Sequence, residues 1–244
     1  MNPLRFATLA VLLAIISVAS PVYGGSIVVS DGTFNNSDWT QTATVDSGGP
    51  SYTATATQNP MGGNPGAFRD MTFSWGGPGE ATHVTVDNMY NLYTYDPKTQ
   101  GAIGSINYSE DGIIISSTFS PPGVGRGMDI FQDGVVYRTF QPGDGFYGLT
   151  NTTWTTFTLL NLTAANFGSA TGTHPNFSAT GDPMQFGYLR SNGFFGAVQT
   201  DEHGIDNWTV TISPVPEPSS LWLAMIGGLG LIAAWRRTRK PAAV

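Results

Sequence analysis

Short stretches of strict apolar–polar alternation recur along the middle of this chain. No run of a dozen residues there carries a helical stripe. Tyr52, Ala54 and Ala56 alternate with Thr53, Thr55 and Thr57; Met184, Phe186 and Tyr188 alternate with Gln185 and Gly187; Trp208, Val210 and Ile212 alternate with Thr209 and Thr211. A period of two sends every second side chain to the same face, so each stretch reads as a strand with one face buried. Further strand candidates are 26–29, 68–75, 82–86, 103–108, 112–118, 129–131, 135–140 and 154–160. Gly, Pro and Asp turn signals at 31–32, 47–50, 62–66, 76–79, 110–112, 121–123, 132–134 and 143–145 separate them. Residues 163–166 offer one turn of helix. About ten short strands and no internal repeat predict an all-β domain over 25–213, a two-sheet jelly-roll sandwich.

Charge narrows what such a domain can bind. Between Gly25 and Ser213 there are five basic residues (Arg69, Lys98, Arg126, Arg138, Arg190) and sixteen acidic ones, a net charge of −11. An acidic surface repels phosphate, which excludes nucleic acid as a partner. The same acidity is compatible with Ca²⁺, which takes oxygen ligands, and equally with a solvated extracellular surface. There is no cysteine. That removes disulfides, thiolate chemistry, Cys-ligated zinc and a lipidated N-terminal cysteine, and leaves stability to the core.

The ends of the chain are built differently. Met-Asn-Pro-Leu-Arg precedes an apolar run from Phe6 to Val18, and small residues follow around Ala19 and Gly24. A basic start, an apolar stretch of about 13 residues and a small-residue zone make a secretory signal peptide over 1–24, with cleavage after Ala19 or Gly24 both open. At the other end, Pro214-Val215-Pro216-Glu217-Pro218 is too proline-rich for helix or central strand and reads as a stiff spacer. An uncharged apolar run to Trp235 follows, then Arg236, Arg237, Arg239 and Lys240. Tryptophans near both ends of the run suit a membrane interface, and the basic cluster sets its own end on the cytoplasmic side. A single transmembrane helix over 219–235 would measure about 25 Å, short of the roughly 30 Å hydrocarbon core. A marginal span suits a segment passed to a processing enzyme.

Val215-Pro216-Glu217-Pro218-Ser219, the short apolar helix and Trp235-Arg236-Arg237 together resemble the PEP-CTERM sorting signal of bacteria. The resemblance covers the tail, residues 214–240. It implies recognition of Pro216, Glu217 and Pro218 by an exosortase, a membrane-embedded cysteine transpeptidase, and delivery from the cytoplasmic membrane to the cell surface or extracellular matrix. It gives an address and no activity.

The domain between the ends carries no catalytic signature. His83, His174 and His203 have no metal-helix spacing, and neither HExxH nor Gly-x-Ser-x-Gly occurs. Only Glu80, Glu110 and Glu202 of its sixteen acids are glutamates, which gives little support to a glycoside hydrolase. The run 201–206 reads as a solvated acidic turn or, alternatively, a metal loop. Trp39, Trp75, Tyr93, Tyr95, Tyr147 and Trp154 could stack on sugar rings or fill the core. The segments 204–210, 31–34 with Trp39, and 62–68 resemble the terminal strands and a loop of carbohydrate-binding, lectin-like jelly rolls. That resemblance implies a structural Ca²⁺ held by Asp31 and Asp206 where the first and last strands pair. The expectation is an exported, non-catalytic module with a structural, adhesive or binding role. A carbohydrate-binding module acting on extracellular polysaccharide is the first alternative, and a glycoside hydrolase the second.

Overall fold

A computed structural model describes residues 25–45, 52–75, 82–120, 122–139, 147–194, 198–215, 226–228 and 230. Its elements in order are β1 (Ile27–Asp31), β2 (Trp39–Val45), β3 (Tyr52–Gly63), β4 (Gly66–Trp75), β5 (Thr82–Tyr90), α1 (Pro97–Gln100), β6 (Ile103–Ser117), β7 (Val124–Gln132), β8 (Val135–Thr139), β9 (Tyr147–Leu149), β10 (Thr155–Leu162), β11 (Phe167–Gly168), β12 (Met184–Phe194) and β13 (Gln199–Pro214). The first sheet runs β10-β6-β13-β4-β3, with β1 also paired to β13. The second runs β11-β8-β7-β12-β5-β2, with β9 on β7. Every pairing is antiparallel. The two sheets face each other as a sandwich, as the alternation requires.

The local chemistry accounts for the joints. Gln132 pairs with Val135, so Asp133-Gly134 is a two-residue hairpin loop, and both residues adopt positive φ. That conformation matches the twist of the strands it joins, and Asp-Gly supplies it at low cost. Residues 163–166 form the expected short turn as a 3-10 turn at Ala164–Asn166, with Thr163 and Asn166 capping each other. On the inner faces Trp39 is the hub. Its ring lies 5.0 Å from Trp208, 5.1 Å from Tyr90, 5.2 Å from Tyr188 and 5.6 Å from Phe34. Aromatics each bury roughly 150–250 Å², so this cluster ties the N-terminal segment to both sheets.

Three segments differ from the sequence reading. Glu110-Asp111-Gly112 is no turn: β6 runs straight through it, with Glu110 fully buried. Residues 201–206 are no solvated turn or loop either; they lie inside β13, with Asp201, His203 and Asp206 buried. Gly125, Arg126 and Gly127 extend the strand expected at 129–131 back to Val124. At 110–112 and 201–206 composition suggested a turn or loop, and ladder pairing on both sides overrides it: β6 sits between β10 and β13, and β13 between β6 and β4.

The signal peptide over 1–24, the motif Pro216-Glu217-Pro218 and the basic residues Arg236, Arg237, Arg239 and Lys240 lie outside the described residues. Of the proposed membrane helix only 226–228 and 230 are described, as helix. No helix among the described residues is long and apolar enough to cross a membrane.

Candidate functional site

The outer face of the seven-stranded sheet carries a polar constellation. On β8, Arg138 forks onto Asp87 of β5, Nε to Oδ1 and Nη2 to Oδ2, both at 2.7 Å. The same guanidinium donates to the Thr44 hydroxyl on β2 at 3.4 Å. Strands β7 and β12 lie between β8 and β5. In a flat sheet the span from β8 to β5 alone would be about 14 Å, three steps of roughly 4.8 Å. The bidentate contact therefore requires the sheet to curl, and this face is concave. Two glycines lie on this face: Gly187 stands opposite Asp129 and Gly127 opposite Leu189. At Gly187 a Cβ would run into the Asn88 carbonyl.

Asp129, beside Arg138 in the β7–β8 register, completes the floor. Its burial, then the neighbouring Asp87 charge, push its carboxyl well above the ordinary aspartate range, with Arg138 pulling the other way. Deeper along the face, Ser191 Oγ lies 2.9 Å from His83 Nε2 and 3.3 Å from the Thr85 hydroxyl. The rims contrast. Thr40, Thr42 and Thr44 are exposed along β2, opposite Met89, Asp87 and Thr85, whereas Phe131 stands at the β7 side with 36% of its surface accessible. One face thus offers a row of hydroxyls, a rigid charged fork and an exposed aromatic ring.

A second polar group lies between the sheets. Arg190 of β12 pairs with Glu110 of β6 through Nη1–Oε2 at 3.1 Å and Nη2–Oε1 at 3.0 Å, both side chains being 0% exposed. Tyr108 donates its hydroxyl to Glu110 as well. Arg69 and Arg126 are also buried on the inner faces. His203 is buried there with Asp201, 3.8 Å from Nδ1, and burial holds its pKa below the usual histidine value.

The residues singled out from sequence fall as follows. Asp31 is paired with Trp208, and Asp206 lies two residues earlier on β13, so the two come to the same end of the first sheet. Their oxygens are already engaged. Asp31 accepts from Thr33 N at 2.7 Å, Thr33 Oγ1 at 2.8 Å, Phe34 N at 3.0 Å and Trp39 Nε1 at 2.8 Å. Asp206 accepts from the backbone of Asn64 and Asn207, and the facing Asp111 from Asn64, Asn207 and Thr156 side chains. A shared cation would have to displace these donors. Trp39 and Tyr95 are core; Tyr93, Tyr147 and Trp154 remain partly exposed. The three histidines stand on separate elements, His174 turned to the Phe167 carbonyl at 2.5 Å. Sequence reasoning missed Asp87, Asp129 and Arg138 altogether.

Residues 214–240 match the family model described as the PEP-CTERM protein-sorting motif. The tail is a PEP-CTERM sorting signal. It marks an exported protein that an exosortase handles at the membrane. No curated protein matches the chain. Among solved structures, the sandwich is similar to the C-terminal family 22 carbohydrate-binding module of Clostridium thermocellum Xyn10B, at 10% identity over 79% of this chain and 98% of that one, with a TM-score of 0.39. It is also similar to the CBM22-1 xylan-binding domain of Paenibacillus barcinonensis Xyn10C, at 9% identity, 80% and 99% coverage and a TM-score of 0.37. A third, the mannan-recognising module TmCBM27, aligns at 10% identity, 77% and 98% coverage and a TM-score of 0.34. Such scores leave this chain's own residues to decide what it binds.

Proposed function

We propose that the PEP-CTERM tail delivers a non-catalytic jelly-roll module which binds extracellular polysaccharide on the concave face of its seven-stranded sheet. The observation that carries this reading is the combination on that face: the Thr40–Thr42–Thr44 hydroxyl row, the Asp87–Arg138 fork and the exposed Phe131 ring. A sugar presents an apolar ring face and a periphery of hydroxyls, and recognition needs one aromatic or apolar platform with a few fixed polar groups. The fork stays fixed because both its members are tied down before any ligand arrives, which lowers the ordering cost of binding. Catalysis by paired carboxylates finds no footing here. Asp87 is locked to Arg138, and the carboxyl of the buried Asp129 is pushed up beside it, so the two do not face each other across a cleft as the acid pair of a glycoside hydrolase must.

Binding of the purified chain to a panel of neutral polysaccharides, by glycan array and then calorimetry, tests the reading. Arg138→Gln is expected to weaken binding about tenfold, and Phe131→Ala similarly. Full affinity in both variants would move the site elsewhere. Polysaccharide turnover that disappears on substituting Asp87 would replace the binding reading with a hydrolytic one.

A further inference from the structure

We propose that Arg126, Tyr147 and Phe157 form a second binding niche, at the edge of the sandwich, which takes the carboxylate of an acidic saccharide. The edge in question lies where β9, the short strand on β7, faces β10, the edge of the six-stranded sheet. Tyr147 and Phe157 meet there with ring centroids 5.2 Å apart, and both remain partly accessible. Arg126 sits opposite Tyr147 in the β7–β9 register and opposite Arg190 in the β7–β12 register. Its guanidinium lies 4.2 Å from the centroid of the Phe157 ring.

Arg126 is 8% exposed, and its Nε and Nη1 have no hydrogen-bond partner among the described residues. The carboxylate that most favours its charge is Glu110, yet Glu110 has both oxygens occupied by Arg190 and one also by Tyr108. Buried N–H groups without an acceptor are costly, so the site gains whenever an acceptor arrives. A carboxylate suits it because a guanidinium presents parallel N–H groups that match two carboxylate oxygens. The rings of Tyr147 and Phe157 beside it offer an apolar face to the sugar that carries the carboxylate. Gly112 keeps the place of the guanidinium clear, since a Cβ there would stand 3.3 Å from Arg126 Nη1 and 3.1 Å from Leu149. The saccharide class rests on the polysaccharide reading above; the anion site does not.

Calorimetry on the full-length chain in mild detergent separates the two. The probes are a galacturonate hexamer, xylohexaose as a neutral oligomer of equal length, and sodium acetate. The galacturonate hexamer is expected to bind about tenfold or more tighter than xylohexaose. Arg126→Gln is expected to remove that difference, Tyr147→Ala to weaken galacturonate binding while leaving far-UV circular dichroism unchanged, and Lys98→Gln, which removes an exposed cation elsewhere, to leave it intact. Equal affinity for the two hexamers, or galacturonate binding that survives both Arg126→Gln and Tyr147→Ala, overturns the niche. A melting-point rise with acetate without galacturonate binding overturns the saccharide assignment. Loss of galacturonate binding in Arg138→Gln alone would assign the acid to the concave face and overturn the niche equally.

Discussion

Asp31 and Asp129 are both buried aspartates, and their surroundings drive them in opposite directions. At Asp31 burial acts to raise the pKa, but the N–H groups of Phe34 and Thr33, the Trp39 indole and the Thr33 hydroxyl outweigh it and hold the carboxyl below its usual value. The stabilisation so gained is present above the unfolded pKa of about 3.9 and is lost as pH falls through the folded one. Asp31→Ala leaves those donors and the Trp39 indole unpaired, so urea unfolding at pH 7 is expected to show a loss of about 1–3 kcal/mol. Because the same donors fill the positions a cation would need, chelation by EDTA is expected to leave the wild-type melting point unchanged; a drop would assign Ca²⁺ to this end of the sheet. Asp129 behaves inversely. Its folded pKa is raised, so the native state holds a proton that the unfolded chain releases first as pH climbs. Stability from this group is greatest below about pH 4 and declines as pH rises towards the folded pKa. Asp129→Asn removes that decline. Melting curves of variant and wild type are expected to converge near pH 4 and to separate in the variant's favour towards pH 7.

Strands show what the sequence made legible and where it misled. Alternation in 52–57, 184–188 and 208–212 placed β3, β12 and the end of β13 correctly, because a half-buried strand writes its two faces into adjacent residues. The triplet Glu110-Asp111-Gly112 carried a turn composition yet lies in the middle of β6. The charges there are answered by residues far away in sequence: Glu110 by Arg190, Asp111 by Asn64, Thr156 and Asn207. The concave site was illegible for the same reason. Asp87 and Arg138 are 51 positions apart, and only the curl of four intervening and flanking strands brings them together. Glu110 therefore serves as a test of whether β6 depends on its distant partner. Glu110→Gln leaves the Arg190 charge buried without its carboxylate, which is expected to cost about 3–5 kcal/mol in chemical denaturation, whereas an ordinary hairpin-turn Glu→Gln change stays within about 0.5 kcal/mol.

The last strand of the sandwich, β13, ends where the sorting tail begins, and this bears on what the domain needs of that tail. The entry and exit strands of the domain are neighbours: Ile27 of β1 pairs with Ile212 of β13. Among the described residues the last tie is Val215 N to the Ala102 carbonyl at 2.7 Å, immediately before Pro216. Among the described residues, every ladder pairing of β13 thus lies before the Pro-Glu-Pro motif. Proline before and after Glu217 lacks the N–H that a strand ladder needs. A chain ending at Val215 is therefore expected to unfold with the same midpoint as the full-length protein in matched detergent, within about 2 °C. In an exosortase-bearing host, replacing Pro216, Glu217 and Pro218 together with alanine is expected to leave the protein in the membrane fraction at full length. Wild-type distribution of the triple variant between membrane and medium would show that release does not depend on the motif.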